Sequence, residues 1–409
     1  MGSTRGGGGA GALSVGLDYR PGLQNREGIG RYTRELVQAL LRLPTPPDVR
    51  LYGSTFARPR VAGSPPAGSR MRRWRLPSRY QPTILGLLSG ADGFLGGPQV
   101  FHHTQYNHLP VKRAVEVATL HDCIYLQEPD FVGQNAATRM ADQARRLAAS
   151  ATRILVPSEY VRGRVAETFQ LPLERILVTP LGCDHILPRP AGAQARPTSA
   201  ANPPPFVLTV SRIEPRKNHL LMLRAFEGLV AAGLPHRWAV VGPAGHGADL
   251  FFEALERSPA RARVDWRSEV SETQLAEHLA GASAFLFTSL SEGFGLPPLE
   301  AMAHGIPVVA SNTTSVGEVC AGGAWLVDPL DVDGTREALC EILGQDRVHD
   351  EWSARGLERA GQFTWERCAR STVAAYEAAL ADSGQGQDRG PDQNAVSREP
   401  AEGAAGEGQ

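Results

Sequence analysis

The sequence predicts an α/β protein of two doubly wound domains that face a central cleft. Three observations carry that expectation. Apolar runs of strand length alternate with stretches of helical periodicity, and the alternation occurs twice over. A Pro/Ala/Ser stretch at 187–205, LPRPAGAQARPTSAANPPP, separates the two series. At 409 residues the chain is too long for one ordinary core.

Bulk properties narrow the class. A formal net charge of −1 argues against a sequence-independent hold on nucleic acid. The cysteines (Cys123, Cys183, Cys320, Cys340, Cys368) are odd in number, widely spaced and without a CxxC pair. That pattern argues against a disulfide framework or zinc site and for a reducing cytoplasm. Residues 1–12 have no apolar core of a signal peptide and read as a flexible tail. No run approaches the roughly 18 apolar residues of a transmembrane helix.

In the first series, 13–17 is a strand ending at Asp18, and helical spacing begins at Arg31 with Leu36, Val37, Leu40 and Leu41. Between them lies Gly28-Ile29-Gly30, a Gly-rich turn. Such a turn lets backbone N–H groups approach a phosphate or sugar, or serves turn geometry alone, and it lacks the full GxGxxG spacing. A strand at 49–52 is followed by the most basic segment, Arg70, Arg72, Arg73, Arg75 and Arg79, interleaved with Trp74 and Tyr80. It reads as a solvated loop, an acceptor phosphate site, or a peripheral contact with an anionic membrane face. Strands at 100–103 and 116–120 follow, and the second delivers His121-Asp122 at its carboxyl end, where open α/β sheets collect ligands. A helix at 135–150, a strand at 153–157, a helix at 159–169 capped by Ser158 and a strand at 176–179 close this half.

The second series has strands at 206–210, 238–241, 263–266 and 284–287, with helices at 218–232, 250–256 and 272–279. Its densest unit is 285–309, FLFTSLSEGFGLPPLEAMAHGIPVV: strand, Gly-turn, helix, strand. Pro297 and Pro298 suit a first helical turn, and Gly305 and Pro307 end the helix. Glu292 and Glu300 thus flank a helix N-terminus that favours anions. Carboxylates grip sugar hydroxyls, so the pair implies a polyol ligand. Arg212 and Lys217, after strand 206–210, are suited to a diphosphate, although charge on a surface loop is the plainer alternative. Helices at 335–343, 348–360 and 365–381 complete the series, and from Ser383 the composition reads as disordered.

Together these motifs resemble the retaining GT-B glycosyltransferases of family 4, the group that includes bacterial mannosyltransferases. Glu292 and Glu300 match that family's E-x7-E motif, GIGRYTREL at 28–36 its N-terminal loop, TLHDCIYL at 119–126 its His loop, and SRIEPRKNHLLMLRAF at 211–226 its diphosphate loop. The resemblance covers about residues 13–381. It implies a GT-B fold: a tail at 1–12, an acceptor-side Rossmann-like domain at 13–190, a linker at 191–205 and a nucleotide-sugar-binding Rossmann-like domain at 206–362. A helix at 363–382 crosses back to the first domain, and a disordered tail occupies 383–409.

The resemblance also implies roles. Arg212 and Lys217 hold the donor's diphosphate. Glu300 binds the ribose. Glu292, with Gly293, Phe294, Gly295 and Leu296, holds the donor sugar, and Gly242 joins the donor site. His121 contacts the sugar near the reacting centre, and Gly28 and Gly30 line the phosphate and acceptor side. No metal or cofactor is implied; the nucleotide-diphosphate sugar is a substrate. The partners are that donor and a glycan, glycolipid or small-molecule acceptor. GDP-mannose is the first donor, UDP-glucose or a deoxysugar the second. A nucleotide-sugar epimerase and a non-catalytic GT-B scaffold are the rival classes. A glycoside-hydrolase acid pair is set aside, because both acids flank a helix N-terminus beside a cationic loop. The chain departs from the family at 264–270, where relatives commonly carry a Gly, at Leu279 and at Thr288. The first departure bears on the nucleotide base.

Overall fold

A computed structural model describes residues 13–25, 27–54, 65–75, 77, 80–131, 133–185 and 204–386. The predicted tail at 1–12, all but the last two residues of the 191–205 linker, Arg79 and the segment from 387 onward lie outside them.

The first half runs β1 (Ser14–Asp18), α1 (Arg20–Gln24), α2 (Gly28–Arg42), β2 (Asp48–Ser54), β3 (Arg70–Trp74), α3 (Gln81–Leu87) and α4 (Gly90–Phe94). It continues with β4 (Val100–His103), β5 (Val115–Thr119), α5 (Ile124–Gln127), α6 (Gln134–Ser150), β6 (Arg153–Val156), α7 (Glu159–Phe169) and β7 (Ile176–Val178). The second half opens with β8 (Phe206–Val210), α8 (His219–Ala231), β9 (Arg237–Val241), α9 (Asp249–Arg257), β10 (Val264–Arg267) and α10 (Glu272–Gly281). Then come β11 (Ala284–Phe287), α11 (Leu296–Ala303), β12 (Val308–Ser311), α12 (Thr314–Val319) and β13 (Trp325–Val327). Three helices finish it: α13 (Val332–Gly344), α14 (Asp346–Ala360) and α15 (Trp365–Gly386).

Two parallel sheets result, ordered β3-β2-β1-β4-β5-β6-β7 and β10-β9-β8-β11-β12-β13. Each is doubly wound. Strand order reverses between β1 and β4 and again between β8 and β11, which opens a crevice at the carboxyl ends of those strands. β11 and β12 are buried at every position, because helices cover both faces of a parallel sheet. Ser158 caps α7 by accepting from the Val161 N–H, and Thr364 accepts from the Arg367 N–H at the start of α15.

The final helix packs along α2 and against β5 and β6 of the first sheet. Its Tyr376 hydroxyl meets His102 Nδ1 at 2.7 Å. One cluster of buried apolar side chains runs from Leu36 through Leu181, Cys183 and Trp365 to Phe294, Leu299 and Met302, so both halves share it. Among the described residues no helix is long and apolar enough to cross a membrane.

Several expectations change. Gly28 to Gly30 form the first turn of α2 rather than a turn before it. The basic segment is no loop over its first half: residues 70–74 form an edge strand paired in parallel with β2. Edge strands tolerate charged side chains, which is why the segment lacks a strand's apolar signature. The last helix reaches Gly386, past the expected end at 382. The short elements α12 and β13 had no signal of their own.

Candidate active site

Loops from the carboxyl ends of both sheets meet in a cleft of about 550 Å³. Gly28, His121 and Asp122 line it from the first half. Arg212, Lys217, Gly242, Glu292, Gly293, Phe294, Gly295, Leu296 and Glu300 line it from the second. Gly30 does not. A Cβ there would overlap the Asn25 carbonyl oxygen, so Gly30 lets α2 start hard against the preceding segment.

The cleft's charge centre is Glu292, which is almost fully buried. Its Oε1 takes an ion pair from Lys217 Nζ and a 2.7 Å hydrogen bond from Ser289 Oγ, and its Oε2 lies 3.0 Å from Arg216. Burial alone would raise this carboxyl, but Lys217 and Arg216 outweigh it and hold it at about 2. Burial lowers Lys217 even with Glu292 beside it. Local structure explains the convergence. Pro215–Lys217 form a 3-10 turn that ends at Asn218 in the left-handed region (φ 62°). The Asn218 amide donates to the Thr288 and Pro329 carbonyls at 3.1 and 2.7 Å, tying the cationic loop to the loops after β11 and β13. Arg216 donates to the Ser291 carbonyl at 2.7 Å and pairs with Glu214.

Glu300 belongs to a second centre. Its Oε1 lies 3.2 Å from Arg31 of α2 and 3.1 Å from His185 Nε2. His185 Nδ1 accepts from the Trp365 indole at 3.0 Å, and its Nε2 lies between Glu300 Oε1 and Arg31, 2.6 Å from the guanidinium. Burial would raise Glu300, and Arg31 and His185 lower it. Arg212 lines the same cleft yet pairs across it, with Glu27. The two glutamates of the E-x7-E motif therefore serve separate charge centres.

The first half's wall is less charged. His121 Nε2 donates to the Thr104 carbonyl at 3.0 Å, and Tyr32 stands edge-on to its ring at 4.8 Å. Because a carbonyl only accepts, the neutral ring turns a bare Nδ1 away from that bond. Burial lowers His121 to about 4, so it is uncharged near neutrality. Burial raises Asp122, and Arg216 across the cleft opposes that rise.

The halves touch closely here. A Cβ on Gly293 would overlap the His121 carbonyl oxygen, so only glycine permits this approach. Ser158 Oγ donates to the Gly293 carbonyl at 3.1 Å. Glu318 accepts from the Glu159 and Tyr160 N–H groups at 2.9 Å, placing a carboxylate of one half on a helix N-terminus of the other.

Arg216, Arg31, His185, Ser289 and Glu27 had no assigned role in the sequence. Arg216 had one signal, its place beside Lys217. His185 had none.

Two doubly wound halves closing on a charged cleft, with a helix N-terminus and paired glutamates in its lining, have the GT-B architecture. Residues 26–186 match the model of Glycosyltransferase Family 4, and residues 193–359 that of Glycosyl transferases group 1. O-antigen chain mannosyltransferase B of Escherichia coli is 30% identical over 365 residues, 86% of this chain and 96% of that protein. The chain belongs to glycosyltransferase family 4. Among solved structures, sucrose-phosphate synthase from Thermosynechococcus elongatus shares the fold at a TM-score of 0.71 and 18% identity, covering 90% of this chain and all of that one. HepE of Anabaena, in complex with UDP and glucose, does so at 0.66 and 15%, with 90% of this chain covered and all of that one.

Proposed function

We propose that the protein transfers a hexose, mannose from GDP-mannose in the first instance, onto an acceptor hydroxyl of a glycan, glycolipid or small molecule with retention at the anomeric carbon. The observation that carries it is the buried Lys217–Arg216–Glu292 triangle beside the N-terminus of α11. Similarity to a mannosyltransferase over most of the chain supports the choice of sugar.

The diphosphate would sit against Lys217, Arg216 and Arg212, whose charge grows in value as the leaving phosphate gains its own. An ionised carboxylate has about four acceptor sites. Lys217, Ser289 and Arg216 occupy three on Glu292, and one on Oε2 remains for a sugar hydroxyl. In the first turn of α11 Pro297 and Pro298 carry no N–H and the Leu299 amide donates to the Gly295 carbonyl, so the Leu296 amide is the one that would face an anion. Glu300 would take the ribose once Arg31 yields. Ser268, Glu269 and Val270 line the far end, where the base would lie and where the sequence departs from its relatives.

The C1–phosphate bond breaks as the acceptor oxygen bonds to C1 on the same face, and the acceptor's proton passes to the departing phosphate oxygen. Lys217, Arg216 and Arg212 would supply the positive charge at the diphosphate. The exposed Arg70, Arg72 and Arg73 of β3, with exposed Leu87 and Leu88 in the same half, support a peripheral contact with an anionic membrane face.

The test is incubation with a panel of nucleotide sugars, with and without acceptors, following free nucleotide and the product's anomeric configuration. Nucleotide release dependent on acceptor, and an α product from an α donor, is expected. A free epimer without nucleotide release would indicate an epimerase, and neither turnover nor donor binding would indicate a scaffold.

A further inference from the structure

We propose that His103, His108 and Glu116 form a binding site for a divalent transition-metal ion of the zinc class, beneath the loop that joins β4 to β5. The site lies in the first half and uses none of the residues placed around the donor. It is built without cysteine, so cysteine spacing gives no sign of it.

The three side chains converge on one point. Glu116 Oε2 lies 2.9 Å from His103 Nε2 and 3.5 Å from His108 Nε2. The ligand atoms of the three residues all lie within 4.8 Å of one another. A tetrahedron with zinc–ligand bonds of about 2.0–2.1 Å has edges of about 3.3 Å, and the two measured separations bracket that length. The imidazole rings stack at 5.4 Å with 20° between their planes, which lets both Nε2 atoms face the carboxylate together. Two histidines and a glutamate are a recognised three-ligand set for zinc, with water in the fourth position.

Backbone geometry prepares this convergence. β4 and β5 pair with Phe101 opposite Glu116 and His103 opposite Ala118, so His103 and Glu116 share a sheet face one step apart. His108 returns from the loop, its N–H held by Gln143 Oε1 of α6 at 3.0 Å. Ser150 Oγ, at the end of α6, donates to Glu116 Oε2 at 3.0 Å and orients the carboxylate. The His103 side chain is fully buried, whereas those of Glu116 and His108 are 14% and 21% exposed, so an ion and its water ligand have an entry path.

The ion would tether the loop that supports the active-site wall. Thr104 of that loop accepts the His121 N–H, and its Tyr106 hydroxyl accepts the Asp122 N–H at 2.9 Å. Its role is thus structural, two contacts away from the sugar.

The protein is stripped with a chelator, desalted, loaded with zinc and desalted again, and bound metal is measured by elemental analysis. Wild type is expected to keep about one equivalent per chain, with a thermal midpoint several degrees higher than the stripped form. His108→Ala, at a partly exposed position, and the near-isosteric Glu116→Gln should lose the metal and the shift, since removing a ligand exceeds the ~10–100-fold cost of losing a second-shell partner. Cobalt in place of zinc should give the intense ligand-field bands of a four-coordinate ion in wild type alone. Retention below about a tenth of an equivalent by wild type, or equal retention by wild type and both variants, overturns the site and leaves a hydrogen-bonded His–Glu–His triad.

Discussion

The two walls of the cleft manage their polar groups in opposite ways. The second half buries full charges and compensates them internally: Lys217, Arg216 and Glu292 lie in one cluster. The first half buries His121 neutral, and its charges on this side, Glu27 and Arg31, reach across to Arg212 and Glu300. The difference teaches where binding energy is held. Lys217 and Arg216 pair with Glu292, Arg212 with Glu27, and Glu300 with Arg31, so a donor that grips these cations and Glu300 competes with protein partners.

Lys217→Ala strikes the charged wall hardest. Removing one preorganised donor to a developing anion costs about 10²–10³ in kcat, so transfer should fall by that much while the protein still folds, because Arg216 continues to neutralise Glu292. A variant that keeps near wild-type transfer would remove Lys217 from the mechanism.

Glu292→Gln leaves two buried cations without their shared anion. Breaking a buried pair costs about 3–5 kcal/mol, so the thermal midpoint should drop clearly. A nucleotide diphosphate restores the missing negative charge. Its stabilising shift should therefore be larger in the variant than in wild type. An equal shift in both would mean that the diphosphate binds elsewhere.

Acid should test the neutral wall. Burial holds His121 at about 4 and its first-half neighbour His102 at about 3, both below the ordinary 6.5. The unfolded chain therefore binds protons that the folded chain refuses, and stability falls as pH drops below 6.5 toward those values. Glu292, held at about 2 against an ordinary 4.5, adds a loss that begins below 4.5. Thermal midpoints across this range should decline from 6.5 and steepen under 4.5. A flat response between the two would contradict the neutral histidines.

Gly30→Ala should cost about 1–3 kcal/mol by forcing a methyl against Asn25, measurable by denaturant unfolding. Gly28→Ala meets open space and should leave stability intact. Smallest is Glu27→Gln: its pair with Arg212 is more than a third exposed on both sides, and such pairs contribute about 0.2–1 kcal/mol. Equal losses at Gly28 and Gly30 would erase the distinction between a cleft glycine and a packing glycine.

Most strands were legible because parallel strands covered on both faces become short apolar runs, as at 284–287 and 308–311. β3 was hidden because an exposed edge strand has no apolar face to display, and its arginines resemble those of a loop. Within the site, Lys217 and Glu292 were legible as a cation and an acid of the right type at the ends of strands. Arg216 was not, since its aim depends on the left-handed turn at Asn218.

By itself the sequence determined the alternation of elements and the helix N-terminus between Glu292 and Glu300, because these follow from local periodicity and turn chemistry. Only the tertiary structure decided which charge meets which. Arg31 and Glu300 are 269 positions apart and His185 and Glu300 115, and Glu27 meets Arg212 across 185. No local pattern encodes such pairs. They exist because two separately wound sheets present their carboxyl ends to one another, and Gly293 lets those ends come into contact.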